Sequence, residues 1–291
     1  MDNIEKCKKY KFITKTNFSI IYKYIDDNDG KPYILKVIPK QKIKNELSIC
    51  NVLPNHPNLI KFVGEKQFEN NNCFINNDYQ FLVFEYFDGI SLHKYIKNKN
   101  LSSNSIKLIF YQILNGVNIL HKNNIIHNDI KLENILICPK TENIKIIDFG
   151  LSQFGREKIN ETVFGSVPYL APEILSSKFY SVYSDIWALG ILLFAMIEGR
   201  FPFYSNSKED IIDEIMSFNV KGTVKNIYEK KYYKPTTINF FKKIFVDDNT
   251  IKSENKILIE ISLLCLKSTP EKRPLIEDLL NFNVFQNVAL L

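Results

Sequence analysis

The hydrophobic pattern of the chain changes its period near Gly89, and this change limits the possible folds more than any other feature. Residues 10–38 alternate and are rich in Ile, Tyr and Phe, which is typical of β-strands. Residues 59–64 and 79–86 are predicted as further strands, with one short amphipathic helix around residues 43–50 before them. Beyond Gly89 the apolar residues recur at helical spacing. The pattern predicts a small β lobe followed by a larger, mainly helical lobe, an α+β architecture.

Two helices of the second lobe are predicted from their own patterns. Apolar side chains between Ile106 and Leu120 lie on one helical face, and the Ser102-Ser103 pair before them is suited to cap the helix. The apolar run from Ile186 to Ile197 is too short to span a bilayer and predicts a buried helix. Between these helices, apolar runs at 135–138 and 144–147 flank a proline-containing turn.

The composition is that of an ordinary soluble globular protein, with 45% hydrophobic and 24% charged residues in a chain of 291. The sequence has no charged-then-apolar N-terminal segment, no glycine at position 2 and no C-terminal prenylation box, so we expect a cytoplasmic protein without a membrane partner. The five cysteines are scattered and form no C-x-x-C pair, which supports neither a disulfide framework nor a zinc site.

The net charge is +6, and lysine supplies nearly all of the positive charge. Residues 221–243 are basic and interleaved with Tyr and Phe, as a groove for single-stranded nucleic acid would also be. No nucleic-acid-binding motif accompanies this charge. We therefore favour lysine-rich solvated faces over a packed core, and we expect no nucleic-acid partner.

The loop between the long helix and the two short apolar runs carries side chains suited to phosphoryl transfer. Asp129 can accept a hydroxyl proton, Lys131 can neutralise charge on a transferring group, and Asn134 offers an oxygen to a hard cation. The second apolar run delivers Asp148 next to the same place. One carboxylate and one amide oxygen suit Mg²⁺, which keeps several waters and binds substrate phosphates as well.

In this order along the chain, these residues and others resemble the eukaryotic protein kinase family. The resemblance extends from about residue 10 to residue 285. Its markers are Ile34-Leu35-Lys36, Glu46, His56-Pro57-Asn58, Phe84-Glu85-Tyr86-Phe87, His127 to Asn134, Asp148-Phe149-Gly150, Ala171-Pro172-Glu173, Asp185-Ile186-Trp187 and Lys272-Arg273-Pro274. Each tripeptide alone is weak evidence, but so many in the family's order exclude chance.

The resemblance implies a bilobal protein kinase fold, in which residues 1–87 form an antiparallel β-sheet lobe with one helix and residues 88–291 form the helical lobe. It implies a Ser/Thr protein kinase that uses ATP and Mg²⁺ on a protein substrate. The implied catalytic residues are Lys36, Glu46, Asp129, Lys131 and Asn134, and the implied metal ligands are Asn134 and Asp148. The implied nucleotide contacts are Ile13, Thr14, Thr16, Ser19, Ile21, Ile34, Lys36, Phe84, Glu85, Phe87, Leu136 and Asp148.

Two ion pairs are expected. Glu46 lies on the apolar face of its predicted helix, where an unpaired carboxylate is costly, so a buried partner such as Lys36 is expected. Arg273 is one of only three arginines in the chain, which suggests a position that needs a planar bidentate donor. The resemblance pairs it with Glu173 in a structural contact.

The sequence departs from the family pattern at the phosphate loop and in the adenine site. Thr14, Thr16 and Ser19 occupy the three glycine positions of that loop. Glycine permits a positive φ and close approach to phosphate, so Thr16→Gly is predicted to lower the KM for ATP, although the hydroxyls can themselves donate to phosphate. Ile34 replaces the usual alanine beneath adenine, with a cost of about 1–3 kcal/mol if the pocket cannot adjust. These changes are the main sequence argument for the alternative of a pseudokinase that binds a nucleotide or a partner without turnover.

A third departure is Asn128, which replaces the arginine that reads a phosphate on the activation segment. Thr162 is spaced as such a phosphosite, or is only an exposed loop residue, and we hypothesise that activity does not require its phosphorylation. Lys131 and Gly165-Ser166 resemble the Ser/Thr-type pattern. Glu133 suggests basic residues near the acceptor of the substrate, although Ala195 replaces a second acidic residue that helps in some relatives.

Two alternatives to the active enzyme remain. Pseudokinases usually lack at least one of the five polar groups Lys36, Glu46, Asp129, Asn134 and Asp148, and all five are present, so activity is favoured. A small-molecule kinase lacks this activation segment, which argues against that class. Residues 220–257 either dock a partner or form a solvated insertion, and we prefer the insertion. No sequence pattern indicates an oligomeric state.

Overall fold

The computed structural model describes residues 9–16, 19–42, 44–66, 78–155, 157–158, 163–218 and 255–286. Thr162 and most of the 220–257 segment lie outside these residues. Among the described helices, none combines the length and the apolar character needed to cross a membrane.

The first lobe is a five-stranded antiparallel sheet in the order β1-β2-β3-β5-β4. Its strands are β1 (Tyr10–Lys15), β2 (Ile20–Ile25), β3 (Pro32–Pro39), β4 (Phe62–Glu65) and β5 (Tyr79–Glu85). The turn between β2 and β3 contains Gly30 with a φ of 66°, a left-handed conformation that suits glycine. Helix α1 (Lys44–Val52) follows β3. This small antiparallel lobe with one helix confirms the predicted fold class.

The predicted strand 59–64 begins later than expected, at Phe62. The residues before it pair with the other lobe instead. Leu59 forms a parallel bridge with Ile146, and the Ile60 amide donates to the Ile146 carbonyl at 3.0 Å. Leu59 and Ile60 have strand-like composition, but they pair with a residue far away in the sequence.

The second lobe contains most of the helices. Its elements are β6 (Ile90–Ser91), α2 (Leu92–Lys97), α3 (Ser103–Lys122), β7 (Ile125–Ile126), β8 (Ile135–Ile137), β9 (Ile144–Ile146), β10 (Gln153–Phe154), β11 (Glu157–Lys158), α4 (Pro172–Ser177), β12 (Phe179–Tyr180), α5 (Val182–Glu198), α6 (Lys208–Ser217), α7 (Lys256–Cys265), α8 (Ile276–Leu280) and α9 (Asn283–Gln286). The two predicted helices are confirmed as α3 and α5. The residue at which one lobe passes into the other, placed at 87, stays a prediction.

Both long helices begin at capped residues. The Ser102 hydroxyl accepts from the Ser105 amide at 3.1 Å at the start of α3. Ser181 and Ser184 exchange side-chain and backbone hydrogen bonds at the start of α5. Helix α5 is buried on nearly all sides and packs against α3 and α7. This rigid centre supports the loop that carries Asp129.

Candidate active site

Lys36 lies between two carboxylates contributed by different parts of the fold. Strand β3 places its Nζ 2.5 Å from Oε1 of Glu46 on α1, and 2.7 Å from Oδ1 of Asp148. Lys36 is 7% exposed and Glu46 is 3% exposed, so both charges are removed from water. The expected pair of Lys36 and Glu46 is confirmed, and Asp148 joins it.

The pKa values of this cluster follow from burial and mutual attraction. Burial acts to lower the pKa of Lys36, but the charges of Glu46 and Asp148 outweigh it and raise that pKa. Burial raises the pKa of Glu46, and the charge of Lys36 offsets only part of this effect. Burial also acts to raise the pKa of Asp148. The pKa nevertheless lies below its usual value, because Lys36 contributes its charge and a hydrogen bond and the Gly150 amide donates a second hydrogen bond. One cation is therefore shared by two carboxylates.

The backbone around Asp148 is arranged to hold its carboxylate in place. Asp148 has a φ of 67°, a conformation uncommon for residues other than glycine, and the Gly150 amide donates to its Oδ1 at 3.3 Å. Phe149 is completely buried and packs on the ring of His127, with 5.4 Å between centroids. A Cβ at Gly150 would lie 3.3 Å from oxygens of both Asp148 and Glu46, so a side chain there would crowd the cluster.

The loop after β7 brings Asp129, Lys131 and Asn134 together. Oδ2 of Asp129 accepts from Lys131 Nζ at 2.6 Å and from Asn134 Nδ2 at 2.8 Å. Asn134 Nδ2 also donates to the Asp129 carbonyl at 2.9 Å. Lys131 Nζ additionally donates to Ser166 Oγ at 3.3 Å, which connects this loop to the segment after Gly165.

The buried helix α5 holds this loop through Asp185. The two carboxylate oxygens of Asp185 accept from the amides of His127 and Asn128, each at 2.9 Å. His121 contacts the same carboxylate at 2.9 Å through Nε2. Because Asp185 is 1% exposed and lies in the first turn of α5, the loop is fixed to a helix that is buried along most of its length.

Asn128 has a φ of 64°, which asparagine tolerates better than most residues. Its Nδ2 donates to the Leu151 carbonyl at 2.9 Å, just after Asp148-Phe149-Gly150. Its Oδ1 is buried and has no hydrogen-bond partner among the described residues. A neutral contact therefore joins the two segments at this position. Whether Thr162 phosphorylation is dispensable stays a prediction, because Thr162 lies outside the described residues.

Two adjoining cavities open at these residues. The larger, of about 490 Å³, is lined by every residue predicted to contact nucleotide, from Ile13 on β1 to Asp148. The smaller, of about 290 Å³, is lined by Asp129, Lys131 and Ser166 among others. The residues that line both are Thr16, Ser19, Lys36, Glu46 and Asp148. A ligand that filled both cavities would therefore extend from an apolar slot to the Asp129 loop.

The larger cavity has mostly apolar walls. Ile34, Ile21, Ile13, Phe84 and Leu136 contribute to them. Ile34 is only partly buried and lines the cavity without closing it. Whether its bulk clashes with a base stays a prediction. Apolar walls with a few polar groups at one end are typical of small-molecule sites.

Some residues that line the larger cavity were not predicted as nucleotide contacts. They are Ile60, Tyr86, Gly89, Ser91, Glu133 and Ile147. Three of them, Tyr86, Glu133 and Ile147, lie inside or beside the quoted motifs. Their position next to predicted contacts could therefore have identified them as lining residues. Ile60 enters through its pairing with β9, which no local pattern shows.

The sequence also did not predict the protein groups that the Glu85 carboxylate contacts. Its Oε1 accepts from Lys145 Nζ at 2.6 Å and from the Lys61 amide at 2.8 Å. The side chain is therefore engaged by neighbouring protein groups, and the Glu85 amide also donates to the Lys61 carbonyl, at 3.0 Å.

The site residues fit a magnesium ion by their chemistry. Asn134 uses its amide nitrogen on Asp129, so the amide oxygen is the atom available as a ligand. The Ile147 amide donates to the Asn134 carbonyl at 2.9 Å, which holds the Asn134 loop beside the strand that leads to Asp148. Among the described residues no cluster of three or more His, Cys, Asp or Glu forms a metal cage. One carboxylate and one amide oxygen are what Mg²⁺ requires when phosphate supplies further ligands.

A second buried ion pair lies away from the cavities. Arg273 donates from Nη1 and Nη2 to the two oxygens of Glu173 at 2.6 and 2.8 Å. Its Nε donates to the Lys267 carbonyl and its Nη1 also to the Tyr183 carbonyl, each at 2.8 Å. The expected bidentate pair is confirmed.

Comparison with known proteins agrees with this geometry. The protein kinase domain family matches residues 8–285. A probable serine/threonine-protein kinase, KIN1 homolog, of Enterocytozoon bieneusi is 34% identical over 75% of this chain and 37% of its own length. A probable serine/threonine-protein kinase PLK of Dictyostelium discoideum is 31% identical over 97% of this chain and 26% of its own length.

The human serine/threonine-protein kinase DCLK2 is 34% identical over 74% of this chain and 28% of its own length. The chain thus spans between 26% and 37% of the length of these three relatives. The match over nearly the whole chain, together with the arrangement of Lys36, Asp129 and Asp148, shows that the chain belongs to the protein kinase family.

Proposed function

We propose that this chain is an active Ser/Thr protein kinase that transfers the γ-phosphoryl group of ATP to hydroxyls of protein substrates. The observation that carries this proposal is that two clusters of polar side chains, one around Lys36 and one around Asp129, line the same pair of adjoining cavities. The Lys36 cluster lies where the cavities meet, and Asp129 lies at the far end. The names of the relatives support the same activity.

In this proposal the larger cavity holds the base and the Lys36 end holds the phosphates. Lys36 is kept charged and in position by Glu46, so it can bind phosphate oxygens without rearrangement. Asn134 and Asp148 are the residues that would hold Mg²⁺. When bound, the ion supplies positive charge beside the phosphates.

Asp129 would orient the acceptor hydroxyl and take its proton. Its Oδ2 is already occupied by Lys131 and Asn134, so the carboxylate cannot rotate freely. Lys131 bridges Asp129 and Ser166 and would stabilise charge on the transferring group. Catalysis in this arrangement is mainly positioning and electrostatic stabilisation.

For the substrate, we propose a preference for basic residues near the acceptor. The side chain of Glu133 is 47% exposed at the rim of the larger cavity and lies 3.9 Å from His93 Nδ1. A peptide array without enrichment for Arg or Lys would contradict this preference. The cytoplasmic location and the expected lack of nucleic-acid and membrane partners stay predictions of the sequence.

The alternative of a pseudokinase is less favoured, because all five required polar groups are present and meet at the cavities. The test is phosphorylation of the chain itself and of Ser/Thr peptides with Mg-ATP. The wild type is expected to transfer phosphate and Asp129→Asn to lose nearly all activity, with unchanged ATP binding. ATP binding without transfer by the wild type would establish the pseudokinase.

A further inference from the structure

Thr16 follows β1 and Ser19 precedes β2, and the backbone amides of both residues are hydrogen-bonded between the two. The Thr16 amide donates to the Ser19 carbonyl at 2.8 Å, and the Ser19 amide donates to Thr16 Oγ1 at 3.0 Å. Neither these two residues nor Thr14 has a positive φ. Two amides that could otherwise point at a phosphate are therefore committed to these hydrogen bonds.

The hydroxyls of the same residues lie at the cavities. Thr16 Oγ1 and Ser19 Oγ are 3.3 Å apart, and either can donate. This distance is long for a bond between hydroxyls, so little is lost if Ser19 turns its proton toward another acceptor. Ser19 is 7% exposed, and both residues line the two cavities beside Lys36 and Asp148.

The charges around Thr16 and Ser19 also favour a neutral hydrogen-bond donor as a partner for phosphate. Among the described residues that line the cavities, the cations are Lys36 and Lys131. Lys36 already faces two carboxylates, and Lys131 is paired with Asp129. A phosphate oxygen would offer a hydroxyl a charge-assisted hydrogen bond, which is stronger than a bond to another hydroxyl.

We propose that the Ser19 hydroxyl binds the phosphate chain of the nucleotide, and that Thr16 acts as its positioning residue by accepting the Ser19 amide. This inference rests on the nucleotide site of the proposed function. It reverses the expectation for Thr16→Gly, because that expectation assumed a positive φ that the structure does not have. Removing the Thr16 side chain would release Ser19, and the KM for ATP would rise.

The test compares the binding of ATP and adenosine by isothermal titration calorimetry with the full chain. Adenosine lacks phosphate, so it reports the apolar slot alone. Ser19→Ala is expected to raise the Kd for ATP roughly tenfold, with the Kd for adenosine changed less than about twofold. Thr16→Val keeps the β-branched shape but cannot accept the Ser19 amide, and it should raise the ATP Kd by a smaller factor. Ser176→Ala, at an exposed serine of α4, is the control and should change neither Kd.

The proposal is overturned if Ser19→Ala binds ATP as tightly as the wild type. It also fails if both nucleotides lose affinity equally, since this would indicate general damage to the loop. A wild type that binds ATP no more tightly than adenosine would refute any phosphate contact. Because only binding is measured, a wild type that shows the expected pattern but transfers no phosphate would refute the proposed kinase activity and leave this inference standing.

Discussion

Two buried ion pairs, Arg273 with Glu173 and Lys36 with Glu46, are satisfied in different ways. The Arg273 side chain is 0% exposed, and its four hydrogen bonds all end on protein oxygens. It also lies 5.0 Å from the ring of Trp187. One cation meets one carboxylate here, and the planar guanidinium fits both oxygens of that carboxylate.

In the Lys36 cluster, by comparison, the positive and negative charges are unequal in number. Lys36 faces Glu46 and Asp148, so the cluster carries one more negative charge than positive charge. The side chain of Asp148 is 40% exposed and lines both cavities. The closed pair stabilises the fold, whereas the open cluster keeps charge available for a ligand. On the proposed function, this difference separates a structural ion pair from a functional one.

The largest effect is expected at the closed pair. Arg273→Met leaves Glu173 buried without a partner and should lower the free energy of unfolding by about 3–5 kcal/mol. Arg273→Lys should recover part of this loss, because lysine keeps the charge but cannot form the bidentate pair. Urea unfolding at neutral pH measures both variants. Wild-type stability of Arg273→Lys would show that charge alone is enough.

The second-largest effect is expected on activity, from a substitution in the Lys36 cluster. Lys36→Met removes the cation beside the phosphates and should lower kcat/KM for ATP roughly 10²–10³-fold. Its stability should fall less than that of Arg273→Met, because Asp148 is partly solvated and Glu46, with its raised pKa, can take up a proton. Steady-state kinetics and urea unfolding of the same preparation test this. Equal losses of stability in the two variants would remove the distinction between the pairs.

The smallest effect is expected from the charge of Glu46 alone. Burial raises the pKa of Glu46, so acidification protonates it at a higher pH than an ordinary glutamate and Lys36 loses that partner. The pKa of Asp148 is lowered, so Asp148 stays ionised over the same range. The KM for ATP of the wild type should therefore rise as the pH falls.

Glu46→Gln is the matched variant for this experiment. It should have a KM for ATP about tenfold higher at neutral pH and should lack the rise on acidification that Glu46 causes in the wild type. KM values measured from neutral to mildly acidic pH decide the point. Parallel pH profiles for the wild type and Glu46→Gln would show that Glu46 does not titrate in this range.

Much of the fold and of the candidate site was predictable from local pattern. The helices α3 and α5 follow from apolar spacing, with a serine cap predicted for α3. The partner of Glu46 follows from the cost of burying an unpaired charge, whereas the partner of Arg273 came from the family resemblance. The outcome at Leu59 and Ile60 was not predictable. Their composition suits a strand, but their hydrogen-bond partner is β9, more than eighty residues later.

The sequence by itself determined the two-lobe architecture and the identity of the chemical groups, because periodicity and motif order are properties of short stretches of chain. Only the tertiary structure decided which groups are already occupied. It placed the Glu85 carboxylate on Lys145, committed the amides of Thr16 and Ser19 to hydrogen bonds between these two residues, and gave Lys36 a second carboxylate. A hydrogen bond or ion pair depends on which atoms come within about 3 Å, and that distance is set by the packing of segments remote in sequence.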